Sequence, residues 1–374
     1  MKTQELVRDF ELLGCIQCGR CSGGCPMSLR TGLNVRRLIY EALIHDTMEV
    51  REKPEIWDCT TCLTCTTRCP KALDPASVLI GMRSVLIESG RIQPTIRDAL
   101  ESTFKHGNPW DRGRNKRSEW AEGLDVPSIA EVNEAEILFY VGCTPAYDTR
   151  AQGIAKAMVA AFHKAGVRFG TLGNDESCCA SEARRMGEEG LFEIMVEDNV
   201  ELFKECGAER MVTTSPHCYN TFTNEYEGLD HFQVQHYTQF IAKLIEEGRL
   251  AFSGEVNKIV TYQDPCFLGK QNGVFDEPRT ILASIPGLDF REFDRSRERS
   301  LCCEGGGGRM WVEATTAGER LAEVRVKDAM AMGVEVIATA CPFCLLTIED
   351  AVKTTGHEAE IQVMDLMELV AQAI

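Results

Sequence analysis

The chain has 374 residues, 44% apolar and 26% charged, the make-up of a globular protein with room for two or three domains. Its 57 acidic side chains against 40 basic ones leave a formal charge of −17, which argues against nucleic acid or an anionic membrane surface as the main partner. No apolar run approaches the roughly 18 residues of a spanning helix, and MKTQELVRDFELLG lacks the basic-then-apolar order of a secretory leader, so a cytoplasmic chain is expected.

The 18 cysteines are the unusual feature. A secreted disulfide scaffold would be short and loop-rich, so this usage in a long chain points to metal sites. Cys15, Cys18, Cys21 and Cys25 follow C-x2-C-x2-C-x3-C with Pro26 next, and Cys59, Cys62, Cys65 and Cys69 repeat it with Pro70 next. That is the bacterial ferredoxin run for cubane [4Fe–4S] clusters, in which the last cysteine of each run serves the other cluster. Cys15, Cys18, Cys21 and Cys69 are therefore expected on one cluster, and Cys59, Cys62, Cys65 and Cys25 on the other. Zinc, which takes separated ligand pairs, suits such close thiols poorly.

Between and after the runs, Val35, Leu38, Ile39, Ala42 and Leu43, then Val78, Leu79, Met82, Val85 and Leu86, fall on single helical faces. With this helical insert the module is similar to the iron–sulfur subunits of respiratory complexes. Residues 106–131 are rich in Gly, Pro and charge. Arg112, Arg114, Lys116 and Arg117 against Asp111 make a local basic stretch, read either as a solvated linker or as a docking patch for a partner.

From about residue 135, strands predicted over 137–141, 211–214, 259–262 and 334–339 alternate with helices such as 151–165. Each strand leads into a cysteine loop: Cys143, Ser215-Pro216-His217-Cys218, Asp264-Pro265-Cys266 and Cys341-Pro342-Phe343-Cys344. In open α/β layers that edge is where ligands bind. The cysteines also duplicate. Cys143, Cys178-Cys179 and Cys218 match Cys266, Cys302-Cys303 and Cys341-x2-Cys344 at similar separations, with Ser215 where Cys341 sits. Two vicinal thiols cannot easily point at one tetrahedral ion, which favours a multi-iron centre. Cys206 fits no set and reads as a small buried apolar residue in a helix over 191–206.

Here a resemblance becomes specific. Tyr262-Gln263-Asp264-Pro265-Cys266, Leu301-Cys302-Cys303-Glu304 with its glycine run, and Thr339-Ala340-Cys341-Pro342-Phe343-Cys344 resemble the cysteine-rich "CCG" domain of heterodisulfide reductase catalytic subunits. Val141-Gly142-Cys143, Cys178-Cys179 and Ser215 to Asn220 resemble it in the first unit, and Gly107-Asn108-Pro109-Trp110 resembles fused subunits of the group. The implied fold is an α+β multidomain chain, a helical two-cluster ferredoxin-like domain followed by two duplicated α/β cysteine-rich domains. Expected bounds are 1–105, a linker over 106–131, then 132–255 and 256–374.

The resemblance implies a noncubane [4Fe–4S] cluster on Cys266, Cys302, Cys303, Cys341 and Cys344. The first unit, lacking one ligand at Ser215, is expected either to hold an altered cluster on Cys143, Cys178, Cys179 and Cys218, with Ser215 as an oxygen ligand, or to hold nothing. Glu304 stands where the family name implies glycine. It is a candidate proton donor, with a structural hydrogen bond as its alternative, and His217 is the other candidate. Gly305–Gly308 has no dinucleotide or Walker spacing; it reads as backbone donating N–H groups to cluster sulfur.

The expected function is disulfide reduction by an iron–sulfur subunit, fed through two cubanes by a flavoprotein, ferredoxin-type or cytochrome partner, with flavin only on that partner. The alternative is pure electron transfer to quinone or another enzyme, as in glycerol-3-phosphate or glycolate oxidising complexes. Any membrane contact, at the inner face, would come through a partner.

Overall fold

The two cysteine-rich units build the same sheet twice. In the computed structural model, which describes residues 3–45, 53–90, 92–230, 232–312 and 318–374, the strands are β1 (Ile137–Tyr140), β2 (Phe169–Gly170), β3 (Arg210–Thr213), β4 (Gln233–His236), β5 (Ile259–Gln263), β6 (Asp289–Phe290), β7 (Val336–Thr339) and β8 (Gln362–Asp365). One sheet runs β2-β1-β3-β4 and the other β6-β5-β7-β8, every pairing parallel. Tyr140, Thr213 and His236 stand level across the first sheet, as Gln263, Thr339 and Asp365 do across the second. The loops that follow β1, β3, β5 and β7 thus leave from one edge of each sheet, and these are the loops that open into the cysteines.

The central strands ILFY and VIAT are buried throughout, the unbroken apolar run of a strand covered on both faces. They are legible in the sequence. The edge strands are not: β2 and β6 have two residues each, and QVQH and QVMD alternate with polar residues. Only pairing with a neighbour makes them strands.

Helix starts repeat too. The Ser215 hydroxyl caps Pro216–Asn224 by accepting from His217 N, and Cys341 holds the same N-cap place ahead of Pro342–Thr355. His236 and Asp365 cap Tyr237–Glu246 and Leu366–Ala373, each in a capping box. The units pack by exchange: Leu366–Ala373 lies on Gln152–Lys164, and Tyr237–Glu246 on Asp276–Ser284. Tyr237 donates to Asp365 Oδ1 at 2.8 Å across that boundary.

The N-terminal module is helical, as its periodicity predicts. Val35–Ile44 buries Val35, Leu38, Ile39 and Ala42, and Pro75–Glu88 buries Val78, Leu79, Met82 and Leu86. Asn34 and Asp74 cap these helices. Residues 106–131 are not a free tether. Ile129 N donates to Thr171 O and Thr171 N to Pro127 O, so the segment runs beside β2. Of its basic residues, Arg117 is buried and paired with Glu176 while Arg112, Arg114 and Lys116 stay exposed. In sequence those four form one stretch; burial separates them.

Candidate metal centre

Cysteine side chains converge in four places. Cys15, Cys18, Cys21 and Cys69 line one small, partly open cavity together with Ile16, Arg20, Arg36, Lys71 and Leu73. Three come from the first run and the fourth from the second. Cys25, Cys59, Cys62 and Cys65 form the second set. Cys65 feels Cys59, Cys62 and Cys25 as like charges, and burial pushes the Cys59 thiol up to about 12, against the pull of Arg83. The first set opens to solvent, with Cys18 exposed; the second is buried throughout.

The third set is Cys266, Cys302, Cys303, Cys341 and Cys344. Cys266 donates to Cys302, and Cys344 donates to Cys303 at 3.2 Å. Bonds from Cys302 and Cys344 hold Cys303 well below the usual thiol range. Burial pushes Cys341 up, but bonds from Cys344 and His217 outweigh it and bring it down to about 5. In the first unit, Cys143 lies 3.7 Å from Cys178, and Cys179 donates to Cys218 at 3.4 Å. Tyr226 and Asn199 close over that set through the carbonyls of Cys179 and Cys178. The Ser215 hydroxyl is occupied as a helix cap.

The second and third sets touch. Cys302 donates to Thr60 Oγ1 at 3.4 Å, and Cys62 lies beside Cys302 closely enough to raise its own thiol. The glycine run makes this approach possible. A Cβ on Gly307 (φ 70) would lie 2.7 Å from the Thr60 carbonyl carbon, and one on Gly308 (φ 79) 2.6 Å from Met186 Cγ. Of the glycine run Gly305 N reaches Cys303 Sγ at 3.4 Å, and Glu304 N just before it reaches Cys302 Sγ at 3.3 Å. Gly308 N goes to Glu182 instead.

His217 leaves its own unit to serve the other. Its Nδ1 is 3.0 Å from Glu182 Oε1, its ring stacks on Phe267 at 3.9 Å, and it bonds to Cys341. Burial opposes a charge on this ring, but the bonds to Cys341 and Glu182 raise it to about 9. Glu304 faces elsewhere. Its Oε1 accepts from Arg30 Nη1 at 3.2 Å and from Leu321 N, so the carboxylate ties the N-terminal module to the start of Leu321–Ala331. Of its two sequence readings, these contacts correspond to the structural bond.

Family models match in the same order along the chain: a 4Fe-4S dicluster domain over 11–73 and a cysteine-rich domain twice, over 137–223 and 260–349. A subunit of the dihydromethanophenazine:CoB–CoM heterodisulfide reductase of Methanosarcina barkeri is 30% identical, the match covering 100% of this chain and 96% of that one. The chain belongs to the family of that heterodisulfide reductase subunit. Two longer relatives share its plan. The "Probable iron-sulfur-binding oxidoreductase FadF" of Bacillus subtilis is 36% identical over 87% of this chain and 47% of its own length. The EtfAB:quinone oxidoreductase of Syntrophomonas wolfei is 31% identical over 99% of the chain and 60% of its own length. The chain thus spans about half to three-fifths of these two relatives, and it is an iron–sulfur oxidoreductase of their kind.

The donor chemistry suits a member of this heterodisulfide reductase family. Among the described residues no three His, Cys, Asp or Glu side chains converge as they would on a single metal ion. All-thiol sets with buried N–H donors suit clusters, whose own sulfides complete the coordination. Cys206 stands apart, donating to Phe203 O at 3.0 Å.

Sequence reasoning missed Arg83, Glu182, Thr60 and Phe267. Arg83 alone left a signal, a charge at a buried register of an otherwise apolar helix. It is fully buried, donating to the carbonyls of Ile56, Cys59, Arg185 and Gly307 at 2.6 to 2.9 Å. One guanidinium therefore pins the N-terminal module to both cysteine-rich units.

Proposed function

We propose that the chain is the electron-relay and terminal subunit of a heterodisulfide reductase-like complex, in which charge enters at the exposed first set and ends at the five-thiol set of the second cysteine-rich unit. The observation that carries this reading is the hydrogen bond from Cys302 to Thr60 Oγ1 at 3.4 Å, which brings the ferredoxin-like module into contact with that set. Iron–sulfur clusters bound there, cubane [4Fe–4S] on the first two sets and noncubane [4Fe–4S] on the third, would supply one-electron transfer.

The chain's own residues do the rest. Burial of Cys302, Cys303, Cys341 and Cys344, none more than 5% exposed, excludes water from the terminal set. His217 keeps a proton at Nδ1 against Glu182 Oε1, 3.0 Å away. Reducing a disulfide to two thiols consumes two electrons and two protons, so a proton store beside the set is what that chemistry needs. Glu304 is left in a positioning role. The partner that feeds the first set is a flavoprotein, ferredoxin-type or cytochrome subunit. No described helix is long and apolar enough to cross a membrane, and we assign any contact with the cytoplasmic membrane face to that partner.

A second reading, electron transfer onward to a quinone-linked enzyme, is favoured by the same burial, because Phe267, His217 and Phe343 pack over the terminal set. The test is anaerobic addition of the CoB–CoM heterodisulfide to oxidised, iron-loaded protein. A changed paramagnetic signal supports disulfide reduction. No change, alongside rapid reduction by a carrier protein, supports onward transfer. Iron at roughly 12 per chain would mean three clusters, and roughly 16 an occupied first unit.

A further inference from the structure

We propose that the mouth of the first thiol set is a cationic docking face for an acidic one-electron carrier protein; this rests on the relay reading above. Arg20, Arg36 and Lys71 line the cavity that holds Cys15, Cys18, Cys21 and Cys69, and Arg68 joins Arg20, Cys18 and Cys69 along the adjoining groove. No carboxylate lines either one.

In a chain of net charge −17, acids are in excess and many basic side chains are paired with them. Arg30, Arg117, Arg150, Arg185 and Arg279 all pair with Glu or Asp. The side chains of Arg20, Arg36, Arg68 and Lys71 are exposed, and among the described residues they make no ion pair or hydrogen bond. At Gly24 the missing side chain makes room for Arg68, since a Cβ there would sit 2.5 Å from Arg68 Nη1.

An apolar element completes the face. Leu13 and Ile16, either side of Cys15, are 85% and 63% exposed, and Cys18 is the exposed thiol of the set. A small anion has no use for two bare aliphatic side chains. A protein with an apolar centre and an acidic rim uses both parts, the charges steering encounter and the apolar contact holding it briefly. In each encounter the reduced carrier loses one electron and the chain gains it; no bond forms and no proton moves. The basic stretch at 111–117, the docking patch suggested by sequence, is thereby replaced by one at the exposed sulfur.

The experiment uses iron-loaded protein, reduced flavodoxin as the acidic carrier, and photoreduced deazaflavin as an uncharged small reductant. Stopped-flow reduction by flavodoxin should slow with rising salt. Arg20→Glu/Arg68→Glu/Lys71→Glu should lower its second-order rate constant about 10-fold or more at low salt, with iron content, folding and the deazaflavin rate unchanged. Arg112→Glu/Arg114→Glu/Lys116→Glu, the same charge change elsewhere, should keep the wild-type rate. A triple variant as fast as wild type, or an equal loss in the control, overturns the proposal. Binding to phosphatidylglycerol vesicles that the triple variant loses, with its flavodoxin rate intact, assigns the face to a membrane and overturns it as well. Failure of deazaflavin to reduce the wild type would sink the relay reading, and this one with it.

Discussion

Cys302 donates a hydrogen bond to Thr60 Oγ1 at 3.4 Å, joining residues from two different modules at the point where two thiol sets meet. The missing Cβ of Gly307 lets the two loops close to contact. The relay thus depends on packing between modules as much as on cysteine spacing within them.

Crossed sharing of the N-terminal runs makes a prediction about iron. Cys15 and Cys69 line one cavity, while Cys25 lies with Cys62. Cys15→Ala with Cys69→Ala should therefore cost one cluster, about four irons per chain. Cys15→Ala with Cys25→Ala should cost two, about eight. The reverse order, about eight irons lost from the first double variant and about four from the second, measured by iron analysis of anaerobic protein, would show that each run keeps its own cluster.

Arg83 is predicted to hold the modules in register. Arg83→Met strips the donor from four buried carbonyls, those of Ile56, Cys59, Arg185 and Gly307, and should destabilise the chain by about 3–5 kcal/mol. Arg83→Lys, which keeps the charge but loses the fork, should fall between. Denaturant unfolding measures the loss. Trp57, whose ring lies 5.1 Å below the guanidinium, should report it as a red shift in emission.

How much of this was legible beforehand follows from which interactions are local. The thiol sets could be read because ligand spacing within a run is local, and the central strands because a buried parallel strand is an apolar run. Ala180 and Glu304, which follow the two vicinal pairs with φ 56 and 71, show the limit. Their shared left-handed turn is implied by the duplication, but nothing near Glu304 in sequence announces Arg30 as its partner. Arg83, Glu182 and Phe267 act on residues far away in the chain, and such contacts exist only once three modules are packed.

His236 carries a pH prediction. Burial drops it from 6.5 to about 3; around it lie Thr238, with Oγ1 at 2.9 Å, the rings of Tyr237 and Tyr219, and Asp365 beyond the Tyr237 hydroxyl. Its folded value lies below its unfolded one, so the unfolded chain takes up the extra proton. The stability held above pH 6.5 is then lost as pH falls toward 3. His236→Asn keeps an N-cap acceptor and removes the titration. Between pH 7.5 and 5.5 the wild type should lose about 1.4 kcal/mol more than the variant. Parallel pH–stability curves for the two would remove His236 from the account, and Asp365, present in both, cancels.

The buried pair under the first unit gives the last prediction. Arg117 and Glu176 are each 2% exposed, and the Glu176 carboxylate also accepts from Val141 N and Gly142 N at 2.9 Å, directly before Cys143. Glu176→Gln leaves the guanidinium buried without a counter-charge, which should cost about 3–5 kcal/mol. Removing both charges with Arg117→Met/Glu176→Gln should recover much of that, because desolvation of the pair is then no longer incurred. The two variants agree at the thiol and separate in stability. Loss of the acceptor loosens the 141–143 turn in both, so Cys143 should react faster with a thiol reagent in both, whereas only the single variant should unfold markedly earlier in denaturant. A double variant as unstable as the single one would mean that Glu176 acts through the turn, and that its charge on Arg117 adds little.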